Sequence, residues 1–503
     1  MINAINPQNV QNTPKKSRTS IFYVNDVHGK MTNMERIYTA SRDFDTFEPS
    51  EKTDKLKLSS GDIILGEDFK SNVVANKFLN WSGFIANALG NHEMDVVPSK
   101  LAELMNTAKY KLLAANVNVV QNSPMKDKIQ KSTVFEENGN KYGIIGIAPS
   151  DVKDRVKMNE SLKEISVDDV DTTIKDVQSE VDKLKAQGIN KIILLSHSGL
   201  SNDKRIAQET SGIDIILGGH THDLLKGVEQ GKNLFTSKTG EPVVITQSGK
   251  DGENTGLLNI EWDDSKGVIT KVQNDVTPVR GTFTRTLPMK TAVEQILGKP
   301  EIVGTISKAE AAPKNRTIEP SAHANFITDA MRVQLGTDIS LLNAANIRGN
   351  FSEGTVDTRL MADITPFKNK MVIANVNEVE LVNALKNGAK SMATDGHKPG
   401  LLLASGLKYD VTKNGEIKNL RFVDKNGQEN VIDVNNPNPN KIYKTAMDDF
   451  CATGGDNYFA KNDNPTFVEK KFDFDKDKLA CDYIKRLKQP VEIKDDGRIK
   501  VVD

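Results

Sequence analysis

Five short stretches of this chain repeat one device, an apolar strand-like run that ends in a tight turn carrying histidine or an acid. FYVNDVHGK supplies Asp26 and His28, LSSGDIILG supplies Asp62, and ALGNHEMD supplies Asn91, His92 and Asp95. LLSHSG and IILGGHTHD add His197, His220 and His222. Five of the chain's seven histidines thus fall within its first 222 residues, each just after a run of this kind. In an open α/β sheet the loops beyond the carboxyl ends of the strands converge on one crevice, so residues far apart in sequence meet there. Imidazole nitrogen and carboxylate oxygen are ligands for zinc, manganese or iron. Gly29, Gly61, Gly90 and Gly219 beside the motifs let the backbone turn sharply. The pattern therefore predicts an α/β fold with a metal centre at the strand ends. His323 and His397 lie outside it and read as structural.

At 503 residues the chain exceeds what one hydrophobic core usually organises, and two domains are expected. Residues 1–19 are rich in Asn and Gln and read as a polar tail. Apolar runs at 21–24, 84–89, 111–115, 142–147, 191–195, 213–217 and 243–245 predict strands, and 168–187 predicts a helix. These place a first domain over 20–280. The small, charged and Pro-containing segments of 281–318, with a helix over 289–297, read as an inter-domain connection, and 319–503 as a second domain opening with a helix over 322–335. Asn414-Gly415 and Asn426-Gly427 suit two-residue hairpin turns, and 435–440 reads as a surface loop. With 67 basic and 68 acidic residues, no nucleic-acid polymer is expected as a partner. No apolar stretch is long enough for a membrane anchor, and no export signal is visible. Two cysteines, Cys451 and Cys481, leave both a disulfide and free thiols open.

The ordered set DVH, GD, GNHE, SH and GHTH resembles the signature of the calcineurin-like metallophosphoesterases, over roughly residues 20 to 280. This resemblance implies an αββα sandwich. It implies one cation on Asp26, His28, Asp62 and His222, and a second on Asp62, Asn91, His197 and His220, with Asp62 bridging. The cofactors are then two divalent metal ions, zinc or manganese. His92, next to Asn91, is placed to stabilise the transition state or protonate the leaving group, with Asp95 orienting it.

The second half resembles the α/β substrate domain of the 5′-nucleotidases, through HANFITDAM, LLNAANIRG, PFKN, SGLKYD and DDFCATGGDNYF. By that resemblance Arg348 and Asn369 contact substrate and Tyr458 stacks on a nucleobase. The chain departs from the family in having Leu401 to Leu403 where a second aromatic is expected, and Ala345 and Asn346 before Ile347-Arg348. Hydrolysis of nucleoside 5′-monophosphates is the expected function. The alternatives are 2′,3′-cyclic nucleotides, nucleotide sugars or a non-nucleotide ester, and a non-catalytic binding protein on the same fold. The family is usually periplasmic or secreted.

Overall fold

Ile21, Phe22, Tyr23 and Val24 follow one another and are all buried, as are Ile192, Ile193, Leu194 and Leu195. A strand whose two faces are both apolar needs cover on both sides. The first unit, Met1–Gly298, provides it with two sheets face to face. One has seven strands in the order Val268–Pro278, Asn254–Asp263, Lys16–Val24, Asp54–Ser59, Ala86–Ala88, Lys111–Leu113 and Ile129–Gln130. The other has six, Leu234–Thr236, Pro242–Thr246, Ile215–Leu217, Lys191–Ser196, Asn140–Ile147 and Ser132–Glu137. Between the sheets Ile21, Tyr23, Leu56 and Leu58 share one core with Ile144, Ile193, Leu195 and Val244.

The outward faces are covered by helices. Phe22 and Val24 share a core with residues of the helices Met31–Thr46, Phe69–Ser82 and Leu287–Leu297. Ile192, Leu194 and Ile216 do the same with Val170–Ala186 and Leu200–Glu209. Each fully buried side chain of this size contributes about 1.5–3 kcal/mol. The result is the αββα sandwich. Its central strands pair in parallel, so the carboxyl ends of Val24, Ser59 and Ala88 lie at one edge of the first sheet, and those of Ser196, Leu217 and Thr246 at one edge of the second.

The computed structural model describes residues 16–66, 68–155, 159–394, 399–459 and 467–503. His397 lies outside the described residues. Of the residues expected as a polar tail over 1–19, Lys16 to Thr19 already belong to the first strand, which pairs antiparallel with Asn254–Asp263, and 1–15 lie outside the described residues. The strand's opening residues are polar and carry no hydropathic signal. They are held instead by side-chain bonds: the Thr19 hydroxyl lies 2.7 Å from that of Tyr142 and accepts from Trp262 Nε1 at 2.8 Å.

The segment 281–318 holds a helix and a strand, which together take up half of it. The helix Leu287–Leu297 puts Met289 and Val293 into the first unit's core. The strand Ile302–Ala309 belongs to the second unit, Lys299–Asp503, in a three-stranded sheet with Gly354–Asp357 and Val491–Ile493.

The second unit is also α/β. Its five-stranded sheet runs Leu402–Ser405, Ile339–Asn343, Ile442–Asp448, Met371–Asn377 and Val468–Lys471. The helix Ala322–Leu335 is capped by Ser321, whose side chain accepts from Ala324 N, and ends at Gly336 with φ 66°. Its buried residues Ile327, Ala330 and Met331 join the core of that unit. Both expected hairpins form, with longer loops than two residues. Val411 pairs with Ile417 and Val423 with Glu429, and only the glycines, Gly415 and Gly427, take positive φ. Cys451 and Cys481 are free, buried thiols. Among the described residues no helix is long and apolar enough to cross a membrane.

Candidate metal centre

The five histidine and aspartate loops meet. The first two are laced together by the backbone, Asp26 N donating to Gly61 O at 3.0 Å and His28 N to Asp62 O at 2.8 Å. The fifth joins them through His220 N, which donates to Asp26 Oδ2 at 3.0 Å. The third joins through His92 N, which donates to Asp62 Oδ1 at 2.8 Å. Asp26, His28, Asp62, His220 and His222 all hold left-handed backbone, with φ between 50° and 74°. Such conformations cost about 1–3 kcal/mol each for residues with a Cβ and persist only where surrounding bonds enforce them. Gly90 answers a different need: a Cβ there would stand 2.1 Å from Asp62 Oδ1.

The side-chain atoms facing inward are close. His197 Nε2 lies 3.0 Å from Asp62 Oδ2 and 3.7 Å from Asp26 Oδ1. His28 Nε2 lies 3.5 Å and 3.7 Å from the same two oxygens, and His222 Nε2 is 3.3 Å from Asp26 Oδ1. His220 Nδ1 is 3.0 Å from Asn91 Oδ1. Among the described residues three overlapping groups could each hold a cation: Asp26, His28 and His222; His28, Asp62 and His92; and Asp26, Asp62 and His197.

The outward nitrogens of His28, His197, His92 and His220 are tied. His28 Nδ1 meets Asp251 Oδ1 at 3.2 Å, His197 Nδ1 meets Ser60 O at 2.6 Å, and His92 Nδ1 meets Asp95 Oδ2 at 2.6 Å. His220 Nε2 is 3.2 Å from Asp151 Oδ2. Holding one ring nitrogen fixes which way the other points.

Asp151 and Asp251 were not among the residues expected from sequence, nor was Glu93. The buried Glu93 carboxylate accepts from Asp62 N at 3.0 Å, Ile63 N at 2.9 Å and Gly90 N at 2.8 Å, clamping the second loop to the third. A signal for Asp251 does exist: QSGKDG follows the strand Pro242–Thr246 and repeats the device of strand, turn and acid a sixth time.

The donor set fits a divalent cation. Nε2 of His28 and of His197 are buried and make no well-aligned hydrogen bond, a costly state for a polar atom that a cation would relieve. Ligands sharing a cation at about 2.0–2.2 Å stand about 3.0–3.6 Å apart, the range of most separations above.

The charges agree with this. Burial opposes a proton on His28, but Asp251 and Asp62 outweigh it and lift the group to about 9. Burial likewise opposes charge on His197, and Asp62 and Asp26 lift it to about 10. Burial would raise Asp26, yet His197, His222 and His28 hold it at about 2. In the cation-free chain both raised imidazoles keep a proton at neutral pH that an incoming cation must displace. Cation affinity therefore rises with pH up to about 9 to 10 and falls below it. Calorimetric loading at about pH 7.5, in buffers of different ionisation enthalpy, should show roughly two protons released per loaded chain. Release of none would remove His28 and His197 from the ligand set.

In the second unit, Arg348 Nε donates to Ala345 O at 2.9 Å, and its guanidinium stands 5.6 Å from the Phe367 ring centroid. Asn369, in the turn after the helix Thr358–Ile364, is partly exposed. Arg348 thus lies beside the PFKN turn that carries Asn369.

Tyr458 differs from expectation. Only 2% of it is exposed, and its hydroxyl donates to Gly400 O. Asp456 and Asn457 take φ 51° and 57° just before it, and Tyr458 follows them into the core of the second unit, which also holds Leu401 to Leu403. A ring so placed has no face for a base. Tyr458→Phe should lower stability by about 1 kcal/mol, by leaving the Gly400 carbonyl without its donor. Chemical denaturation would measure it, and the ratio of rates on a nucleotide and a small aryl phosphate should not change.

His323, expected as structural, is buried in the second unit. Its Nδ1 accepts from Phe351 N at 3.1 Å, and burial lowers it to about 4.

A two-sheet sandwich with convergent histidine and aspartate loops is the arrangement expected of a metallophosphoesterase. Residues 19–224 match the calcineurin-like phosphoesterase family, and 302–462 match the 5′-nucleotidase C-terminal domain. The chain belongs to this family, as a metal-dependent phosphoric ester hydrolase of the 5′-nucleotidase type.

Among its relatives, the 5′-nucleotidase of Rattus norvegicus is 26% identical, the alignment covering 89% of this chain and 84% of the relative. The Bacillus subtilis trifunctional nucleotide phosphoesterase protein YfkN is 24% identical over 96% of this chain, which spans only 35% of that protein's length. The crystal structure of a 5′-nucleotidase precursor from Thermus thermophilus superposes with a TM-score of 0.75, at 22% identity, covering 97% of this chain and 99% of the other.

Proposed function

We propose that the chain hydrolyses nucleoside 5′-monophosphates to nucleoside and phosphate with two divalent cations, zinc or manganese. Asp26, His28, Asp62 and His222 would hold one, and Asp62, Asn91, His197 and His220 the other, with Asp62 shared. The single observation that carries this reading is the Asp62 carboxylate. Its Oδ2 is 3.0 Å from His197 Nε2 and 3.5 Å from His28 Nε2, both buried nitrogens without an aligned partner. When bound, such a pair of cations lowers the pKa of water toward neutrality and neutralises phosphate charge.

The chain's own residues do the rest. His92 gives its Nδ1–H to Asp95, so that in the doubly protonated ring Nε2–H is the group that donates to a phosphate oxygen or to the departing alkoxide. Asp95 holds the ring in that orientation and also accepts from Gly66 N at 3.2 Å, fixing its own position. Arg348 and Asn369 would bind the substrate, the planar guanidinium suiting a phosphate or carboxylate.

One observation favours a second reading, a non-nucleotide phosphate ester. Tyr458 and Leu401 are both buried, so neither offers a face to a base. Rates on nucleoside monophosphates, a 2′,3′-cyclic nucleotide, a nucleotide sugar and an aryl phosphate, each with added Mn²⁺ or Zn²⁺, separate the readings. Preference for a nucleoside 5′-monophosphate supports the first. An aryl phosphate turned over as well as every nucleotide favours the second.

A further inference from the structure

Asp251 occupies an unusual position. It is 5% exposed, holds φ 57°, and is joined to the first metal loop twice. Its N–H donates to Asp26 O at 2.6 Å, and its carboxylate meets His28 Nδ1 at 3.2 Å. A third tie, from Asn33 Nδ2 to Asp251 O at 2.9 Å, anchors the residue to the helix Met31–Thr46 that follows that loop. A carboxylate also holds His92, which is not among the proposed ligands, whereas the outward nitrogens of the ligands His197 and His220 are held differently. His197 meets a backbone carbonyl, and the carboxylate of Asp151 at His220 has a side chain 38% exposed. A buried carboxylate on the far nitrogen of a ligating imidazole makes that imidazole a stronger donor and fixes its direction, whereas solvent screens an exposed one.

We propose that Asp251 is a positioning residue for cation binding: it holds His28 with Nε2 directed at Asp26 and Asp62, and so sets the affinity of the one cation position that Asp26, His28 and His222 would form. This rests on the two-cation reading above. Removing the charge of Asp251 should weaken that position while the position using Asn91, His197 and His220 keeps its affinity. Loops built as this one is, with a single residue joined by its backbone to one ligand and by its side chain to the next, couple ligand direction to loop shape.

Asp251→Asn isolates the charge. Asparagine tolerates left-handed backbone, keeps the N–H to Asp26 and offers an amide oxygen to His28 Nδ1. Mn²⁺ titrated calorimetrically into the metal-stripped full chain should bind in two steps to the parent. In the variant one step should weaken by about 10- to 100-fold and the other change little. The stripped variant should still unfold in one cooperative transition, its melting temperature lowered only by the loss of the Asp251–His28 pair.

Two unchanged affinities in Asp251→Asn overturn the proposal alone. So does an equal fall in both steps, with or without a lower melting temperature, since that makes Asp251 a residue that holds the whole site together. A parent that binds fewer than two cations overturns the two-cation reading and this proposal with it. Asp251→Glu supplies a further check: returning the charge should recover part of the weakened step, and failure to recover any would count against the role of charge.

Discussion

Asp62→Asn should lose cations and turnover together. Among the described residues, Asp62 is the one carboxylate whose oxygen lies within 4.0 Å of Nε2 of His28, His92 and His197. Its other oxygen accepts from His92 N. Asparagine preserves that second bond and tolerates φ 53°, so the loop need not collapse. The amide that replaces Oδ2 has one lone-pair oxygen at most and no charge, and cannot bridge two cations. It also withdraws charge from beside His197, whose proton Asp62 helps to hold. Several kcal/mol of transition-state stabilisation depend on bound cations, so kcat/KM should fall by about 10³-fold or more, at about 1.4 kcal/mol per tenfold. Metal content by mass spectrometry, measured on the same preparation as the kinetics, decides the matter. Two cations per chain with parental turnover would end the bridging assignment.

His92→Ala should behave in the opposite way, keeping its cations and losing rate by about 10²- to 10³-fold. The backbone N–H of residue 92 still donates to Asp62 after the change, so the ligand loop is retained. What disappears is a ring held by Asp95 at 2.6 Å, with Nε2 4.0 Å from Asp62 Oδ2. Asp95→Asn should produce a smaller loss of the same kind, because it loosens the ring without removing it. His92 also belongs to a group with His28 and Asp62 that could hold a cation. A metal-free His92→Ala chain would therefore place His92 among the ligands and discard its role in the transition state.

The fold was legible in the sequence where hydropathy carries the signal. The run Lys191–Ser196 is buried on both faces, and its composition alone demands cover on both sides. The opening of the first strand was not legible, because Lys16 to Thr19 are polar and are held by hydrogen bonds to Tyr142, Trp262 and the neighbouring strand. Nor was the length of the hairpin loops, since Asn-Gly also suits the last positions of a longer turn. Tyr458 marks another boundary. An aromatic in a glycine-rich turn carries no local sign of which way it faces, and the two left-handed residues before it became evident only with the backbone in place.

The sequence by itself determined which residues gather: Asp26, His28, Asp62, Asn91, His92, His197, His220 and His222 each end a strand-like run, and parallel strands carry their carboxyl ends to one edge. It also determined the pairing of His92 with Asp95, because the partners are three positions apart. Only the tertiary structure decided what holds the other imidazoles. His28 and Asp251 are 223 positions apart, and His220 and Asp151 are 69 apart. Whether two such side chains touch depends on which loops the sheets bring side by side and on the sign of φ at each turn. Local sequence encodes the ends of strands, but contact between loops is a property of the assembled sheets.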